Sequence, residues 1–307
     1  MRVLYYCDHH DIPLGAGHKF PMEKYRLIRR ELERTPQFRF APGPLVSRDD
    51  LIRVHDAAYV DAFLEGRLDA SQVRRIGFPQ VPELISRSLS SVGGTLAAAE
   101  RSLIEGWSGV LAGGTHHAFR DFGSGFCVLN DIAVAARSLL DRSLVRRVLI
   151  VDLDVHQGDG TAAIFSEHPE VFTFSAHGRN NFPFRKQQSD WDLEFENGAE
   201  DDAYLSALAP ALAQVFAQEF DIVFYQAGVD GLRSDRLGKL SLSADGIAAR
   251  DRLVFEHVAR LHIPCVVTLG GGYAEPIQDT VTAAANTYRL ADQALCAMSA
   301  TFSRPSQ

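Results

Sequence analysis

Cysteine is sparse: Cys7, Cys127, Cys265 and Cys296 are scattered through 307 residues, and no two form a C-x-x-C pair. A disulfide scaffold is not expected at this length, and reduced thiols in a cytoplasm fit better. Long apolar runs are also missing. Stretches such as Ile263 to Ala274 are broken by glycine and fall short of the roughly 20 apolar residues a membrane helix needs, so no membrane partner is expected. The amino end, Met1 to Asp8, reads as a first strand rather than a secretory leader. Basic charge is not in excess, since 31 Lys and Arg face 39 Asp and Glu for a net charge of -8 and a pI near 5.8. A chain that binds nucleic acid directly would want a basic footprint. No repeat, low-complexity tract or Pro/Ser/Gly-rich linker divides the chain.

What is present is ordinary globular composition, with 46% hydrophobic and 23% charged residues, arranged as alternating strands and helices. Gly109 to Ala112, Val148 to Val151, Val171 to Phe174, Ile222 to Tyr225 and Cys265 to Leu269 are apolar without polar alternation. Strands covered on both faces of a parallel sheet read this way. Between them, Tyr204, Leu205, Leu208, Leu212 and Val215 share one helical face, as do Ile247, Val254, Val258 and Leu261 after the plausible N-cap Ser243. The fold class is therefore α/β, a doubly wound sheet in one domain over residues 1–307, with a disordered tail from about residue 300. The polar stretch from Gly178 to Asp202 reads as a long surface loop near the site, on account of Phe182, Phe184 and Trp191.

In open parallel sheets, ligands bind beyond the carboxyl ends of the strands. Unusual residues collect there: Gly113-Gly-Thr-His-His117, Asp152-Leu-Asp154-Val-His156, Ser175-Ala-His177, Gln226-Ala-Gly-Val-Asp230 and Gly270-Gly-Gly-Tyr273. In an extended segment Asp152, Asp154 and His156 would line one face, and carboxylates so close need a cation or a protonated partner. A metal held by Asp154, His156 and Asp230, leaving a place for water, resolves this. A helix-capping Asp with a satisfied polar His is the bland alternative. Zn2+ and Fe2+ both suit such donors. His116 and His117 fit imidazoles oriented by the remaining acids Asp152 and Asp159, although adjacent histidines are often simply surface residues. The glycine turn before Tyr273 could cradle a phosphate, let a phenol approach a reacting carbonyl, or leave a half-buried aromatic.

These motifs, with Gly123-Ser-Gly-Phe-Cys-Val-Leu-Asn130-Asp131, resemble the histone deacetylase family over most of the chain. The resemblance implies an arginase-like α/β fold, a mostly parallel sheet of about eight strands flanked by helices on both faces. It implies a zinc-dependent amidohydrolase acting on an acylated lysine or acylated small amine. Zinc would sit on Asp154, His156 and Asp230, with catalysis by His116, His117 and Tyr273 and with Asp152 and Asp159 behind the histidines. The acyl tunnel would use Gly125, Phe126, Phe184 and Gly271. A structural K+ would use Asp152, Asp154, His156, Ser175 and Ala176, and Arg26 would line a product channel. Where peptide-acting members carry a rim acid, this chain has Gly77-Phe78-Pro79 and no acid until Glu83, which leaves small acylated amines and long acyl chains open. The Phe182-to-Lys186 segment looks most like the bacterial class IV branch. Competing readings are a two-metal arginase-like hydrolase, a catalytically idle acyl-binding module and a nucleophilic hydrolase through Cys127. The oligomeric state is left open.

Overall fold

Eight short strands form one sheet: β1 (Arg2–Tyr6), β2 (Phe38–Pro42), β3 (Trp107–Val110), β4 (Val148–Asp152), β5 (Val171–Gly178), β6 (Trp191–Phe195), β7 (Ile222–Gln226) and β8 (Cys265–Thr268). The structure is a computed structural model that describes residues 1–15 and 17–300, without the side chains of 299 and 300. All pairings are parallel, in the order β2-β1-β3-β8-β7-β4-β5-β6. The central strands β3, β8, β7 and β4 are buried along their whole length, which is why their sequences lack polar alternation.

Helices cover the sheet in two groups. Pro82–Glu105 packs on β1 and β3 and against Asp131–Asp141, while Ala244–Leu261 packs between Asp201–Val215 and Ile277–Leu295, which in turn meets Glu23–Glu33. Ser243 caps its helix as the sequence implies, its side chain accepting from the Gly246 N–H. Because every strand runs the same way, the loops after β3, β4, β7 and β8 emerge side by side at one sheet edge, and the chemistry-bearing residues sit there.

Two expectations change. The third apolar run does not stop at Phe174: β5 continues to Gly178, so Ser175, Ala176 and His177 lie within a strand and not after one. The stretch read as a loop contains β6, paired with β5 at the sheet edge, and Trp191 packs edge-on against Phe174 at 6.0 Å, away from the site. The expected tail falls on residues beyond 300, outside the described residues.

Candidate active site

The turn after β3 must bring two histidines under the sheet edge. Gly113 and Gly114 have φ of 74° and 72°, a region favouring glycine, and a Cβ on Gly114 would overlap the Gln226 side chain. The buried Asp131 carboxylate accepts from Gly114 N (3.1 Å), Thr115 N (2.7 Å) and Thr115 Oγ1 (2.6 Å), which fixes the turn. His116 and His117 follow, both buried, with ring centroids 4.1 Å apart. Each Nδ1 meets a carboxylate oxygen at 2.6 Å, His116 with Asp152 and His117 with Asp159.

Beyond Asp152 the chain leaves β4 and bends, so the D-x-D-x-H run does not present one extended face. Asp154 Oδ1 accepts from the His156 N–H at 3.0 Å, and Asp152 turns towards His116. Asp154, His156 and Asp230 do converge: one ligand atom from each lies within 4.8 Å of the others. His156 Nδ1 is 3.0 Å from Asp154 Oδ1 and 3.0 Å from Asp230 Oδ2. Arg250, wholly buried, staples the two loops by donating to Leu153 O (3.1 Å) and Gly228 O (2.5 Å).

The electrostatics of this cluster ask for positive charge. Burial raises Asp230 to about 7, helped by Asp154. For His156 burial works downward, but the Asp154 and Asp230 carboxylates outweigh it and hold the ring at about 10. Two buried carboxylates and one imidazole that together attract a cation have the chemistry of a divalent-metal donor set, so the residues fit the group.

The glycine turn after β8 closes the site. A Cβ on Gly271 would overlap the Asp230 carboxylate, and the Gly271 N–H donates to Asp154 Oδ2 at 2.7 Å. Tyr273 is therefore delivered next to the cluster, its N–H held by Asp235 Oδ2 at 2.6 Å and its phenol pushed well up by burial. A cavity of about 540 Å³ opens over His116, His117, Asp154, His156, Gly271 and Tyr273, walled by Gly125 and Phe126.

Phe184 lines the cavity, although it is 86% exposed, and the ring against His117 is Phe182, edge-on at 4.9 Å. One sequence expectation is corrected here. Arg26 lies on the exposed face of helix Glu23–Glu33. The arginine buried beside the cavity is Arg87, which donates to Cys7 O (3.2 Å) and His10 O (3.0 Å) and sits 4.4 Å over the Tyr25 ring. It lines a smaller cavity of about 50 Å³ that shares Phe20, Tyr25, Gly113, Thr115 and Phe126 with the larger one.

The monovalent-cation set is gathered in part: Asp152 and Ser175 are register partners on β4 and β5, Ala176 follows, and Asp154 and His156 lie in the adjoining bend. Ser175 Oγ is 2.9 Å from His177 Nδ1. Cys127 lines the cavity, yet burial holds its thiol well up, which disfavours a thiolate nucleophile. The sequence reading gives no role to Asp131, Arg250 or Asp235; for Asp131 a signal is present, an acid directly after the Gly-Phe-Cys-Val-Leu-Asn130 run.

A profile of the histone deacetylase domain matches residues 18–288. The chain belongs to the histone deacetylase family. It is 45% identical over 284 residues to an uncharacterized protein of Picosynechococcus, covering 91% of this chain and 94% of that one. It is 32% identical over 239 residues to histone deacetylase 2 of Arabidopsis thaliana, covering 74% of this chain and 61% of that one. The solved HD domain of HDA15 superposes with a TM-score of 0.75 at 21% identity, covering 94% of this chain and 88% of that one, a likeness of fold. Family membership makes the chain a hydrolytic deacetylase. Among the described residues no helix is long and apolar enough to cross a membrane.

Proposed function

We propose that this chain is a metal-dependent deacylase that hydrolyses the amide of an N-acylated lysine or related acylated amine, in a single catalytic domain working in the cytoplasm. One observation carries the reading: Asp154, His156 and Asp230 converge within 4.8 Å, next to one cavity lined by His116, His117 and the Tyr273 phenol, with Asp152 and Asp159 behind the two histidines. Zn2+ is the proposed ion, with Fe2+ suiting the same donors, and either would polarise an amide carbonyl and make water more acidic. Asp152, Asp154, His156, Ser175 and Ala176 are the proposed holders of a structural K+.

His117, with Nδ1–H on Asp159, keeps Nε2 free. Burial and the neighbouring His116 lower its pKa to about 4, so at neutral pH it takes the proton of the attacking water. The same proton then passes to the amide nitrogen as the C–N bond breaks, yielding carboxylic acid and amine, which part as carboxylate and ammonium. His116 is pulled down by burial, but Asp152 and Asp154 outweigh this and raise it to about 9, so it stays charged beside the developing oxyanion. The Tyr273 phenol, held protonated by burial, donates a hydrogen bond to that oxygen. Gly125, Phe126 and Phe182 form the inner apolar wall, and Phe184 stands at the entrance.

Among the lining residues Asp154 is the sole carboxylate, whereas Arg75 and Lys239 bring positive charge. This favours acylated amines carrying no further positive charge over polyamines and strongly basic peptides. The four cysteines are unpaired, as a reducing compartment requires.

The test is a panel of lysines and small amines acylated from acetyl to myristoyl, assayed with chelator and after reloading with Zn2+ or Fe2+. Turnover abolished by chelation and restored by one equivalent of metal is the predicted result. No hydrolysis of any amide by the loaded protein would leave the idle acyl-binding reading in its place.

A further inference from the structure

Lys24 is a lysine in an improbable place. It begins the helix Glu23–Glu33 and would read as a surface residue, yet it is 1% exposed. A buried ammonium is costly unless its donors are used. Among the described residues no carboxylate lies within ion-pair distance of Lys24. Instead Nζ donates to Gly270 O at 3.2 Å and to Gly272 O at 3.3 Å. Three rings surround it, Phe20, Tyr25 and Tyr273, with centroids 5.7, 5.1 and 5.0 Å away.

The turn it grips carries the phenol of the active site. Four more peptide groups of the turn are tied: Gly271 N by Asp154, Gly271 O by Val229 N at 3.0 Å, Tyr273 N by Asp235, and Tyr273 O by Arg236 N at 3.3 Å. Lys24 supplies the partners for the carbonyls on either side of Gly271, from a helix otherwise remote in the chain. Glycine-rich turns hold a fixed shape only when their peptide groups are tied, because glycine itself imposes little restraint. Lys24 does not line the cavity, so it is not a candidate acid, base or nucleophile.

We propose that Lys24 is a positioning residue for the hydrolysis, clamping the Gly270–Gly272 turn so that the Tyr273 phenol is held where the oxyanion develops. The proposal rests on the deacylase reading for its catalytic consequence and on geometry alone for the clamp. Burial lowers Lys24 to about 8 while Asp230, Asp154 and Asp235 act to keep it charged, in keeping with a cation tolerated for a purpose.

The experiment is a double-mutant cycle of Lys24→Met with Tyr273→Phe in the metal-loaded protein, with hydrogen exchange measured over residues 269–274. Lys24→Met is expected to lower kcat by about 10- to 100-fold with KM changed by less than about twofold, since a small misplacement of a catalytic group is that expensive. In the Tyr273→Phe background the same change should cost less than about twofold, because its effect runs through the phenol. Exchange over 269–274 should quicken by at least about tenfold while the rest of the sheet is unchanged. The melting midpoint should hold or rise, because an apolar side chain replaces a lone buried cation. Should Lys24→Met fail to fold, Lys24→Gln, which keeps a neutral amide donor group, carries the same cycle. Equal losses in both backgrounds, or unchanged exchange in the turn, would overturn the assignment. If the wild-type protein hydrolyses no acylated amine, the deacylase reading falls and the exchange measurement alone decides the clamp.

Discussion

His116 and His117 are neighbours in the chain, equally buried at 4% exposure, and each sets Nδ1 against a carboxylate at 2.6 Å. Their proton affinities nonetheless move in opposite directions. Burial lowers both rings, but His116 also faces Asp154 beyond its own partner Asp152 and ends near 9, whereas His117 faces the charged His116 and His156 and ends near 4. One partner acid therefore does not decide the state of a histidine; the net charge of everything around it does. In the proposed mechanism one ring thus serves as a base and the other as a fixed positive charge, a division of labour that the tandem sequence does not reveal.

The comparison is broken most severely by truncation. His117→Ala should lower kcat/KM by about a thousandfold, the scale of a lost general base, while His116→Ala should lower it by about 10- to 100-fold. Steady-state rates of the two metal-loaded variants check this; equal losses would mean the two rings share one role. A gentler test moves one ring through the other. The proposed mechanism uses the neutral form of His117, so activity should be present above its pKa and lost as pH falls through it. Removing the His116 charge relieves part of the downward pull, so in His116→Ala the acid limb of kcat/KM should shift to higher pH. A limb that stays put would separate the two rings electrostatically.

The smallest effect sharpens the comparison with a third buried imidazole that has no carboxylate partner. His55 Nε2 accepts from Asn130 N at 2.9 Å and Nδ1 donates to Phe119 O at 2.9 Å, and burial lowers its pKa to about 4. The unfolded chain, with a His near 6.5, binds the proton first, so stability is full above that value and falls as pH drops from 6.5 towards 4. Denaturant titrations should show His55→Gln losing up to about 3 kcal/mol of that pH dependence. An unaltered slope would mean other groups carry it.

The strand-end residues were legible because two carboxylates, a histidine pair and a glycine turn directly follow apolar runs that few other structures would produce. Legibility failed where three-dimensional packing chooses among similar residues. Phe182 and Phe184 are two apart in a polar stretch, and only the folded loop shows which ring meets His117. Arg26 stands after Pro21-Met22, where the resemblance points, but that helix turns it to solvent, and the arginine buried beside the cavity, Arg87, comes from the distant helix Pro82–Glu105. Strand β6 could have been read: Trp191, Leu193 and Phe195 alternate with Asp192 and Glu194, the period of a half-exposed strand, but the surrounding charges obscured it. Lys24 and Asp235 carry no local signal, because their tasks exist only once the glycine turn after β8 lies against them.

The proposed chemistry needs one divalent ion held jointly by the loop after β4 and the loop after β7. Metal content per chain, measured on chelator-stripped protein reloaded with Zn2+ and then desalted, tests it directly in wild type and Asp230→Ala. The predicted result is one ion per wild-type chain and almost none in a folded Asp230→Ala variant, with activity lost alongside. A folded variant that keeps a full equivalent, or a wild-type chain that takes up none, would contradict it.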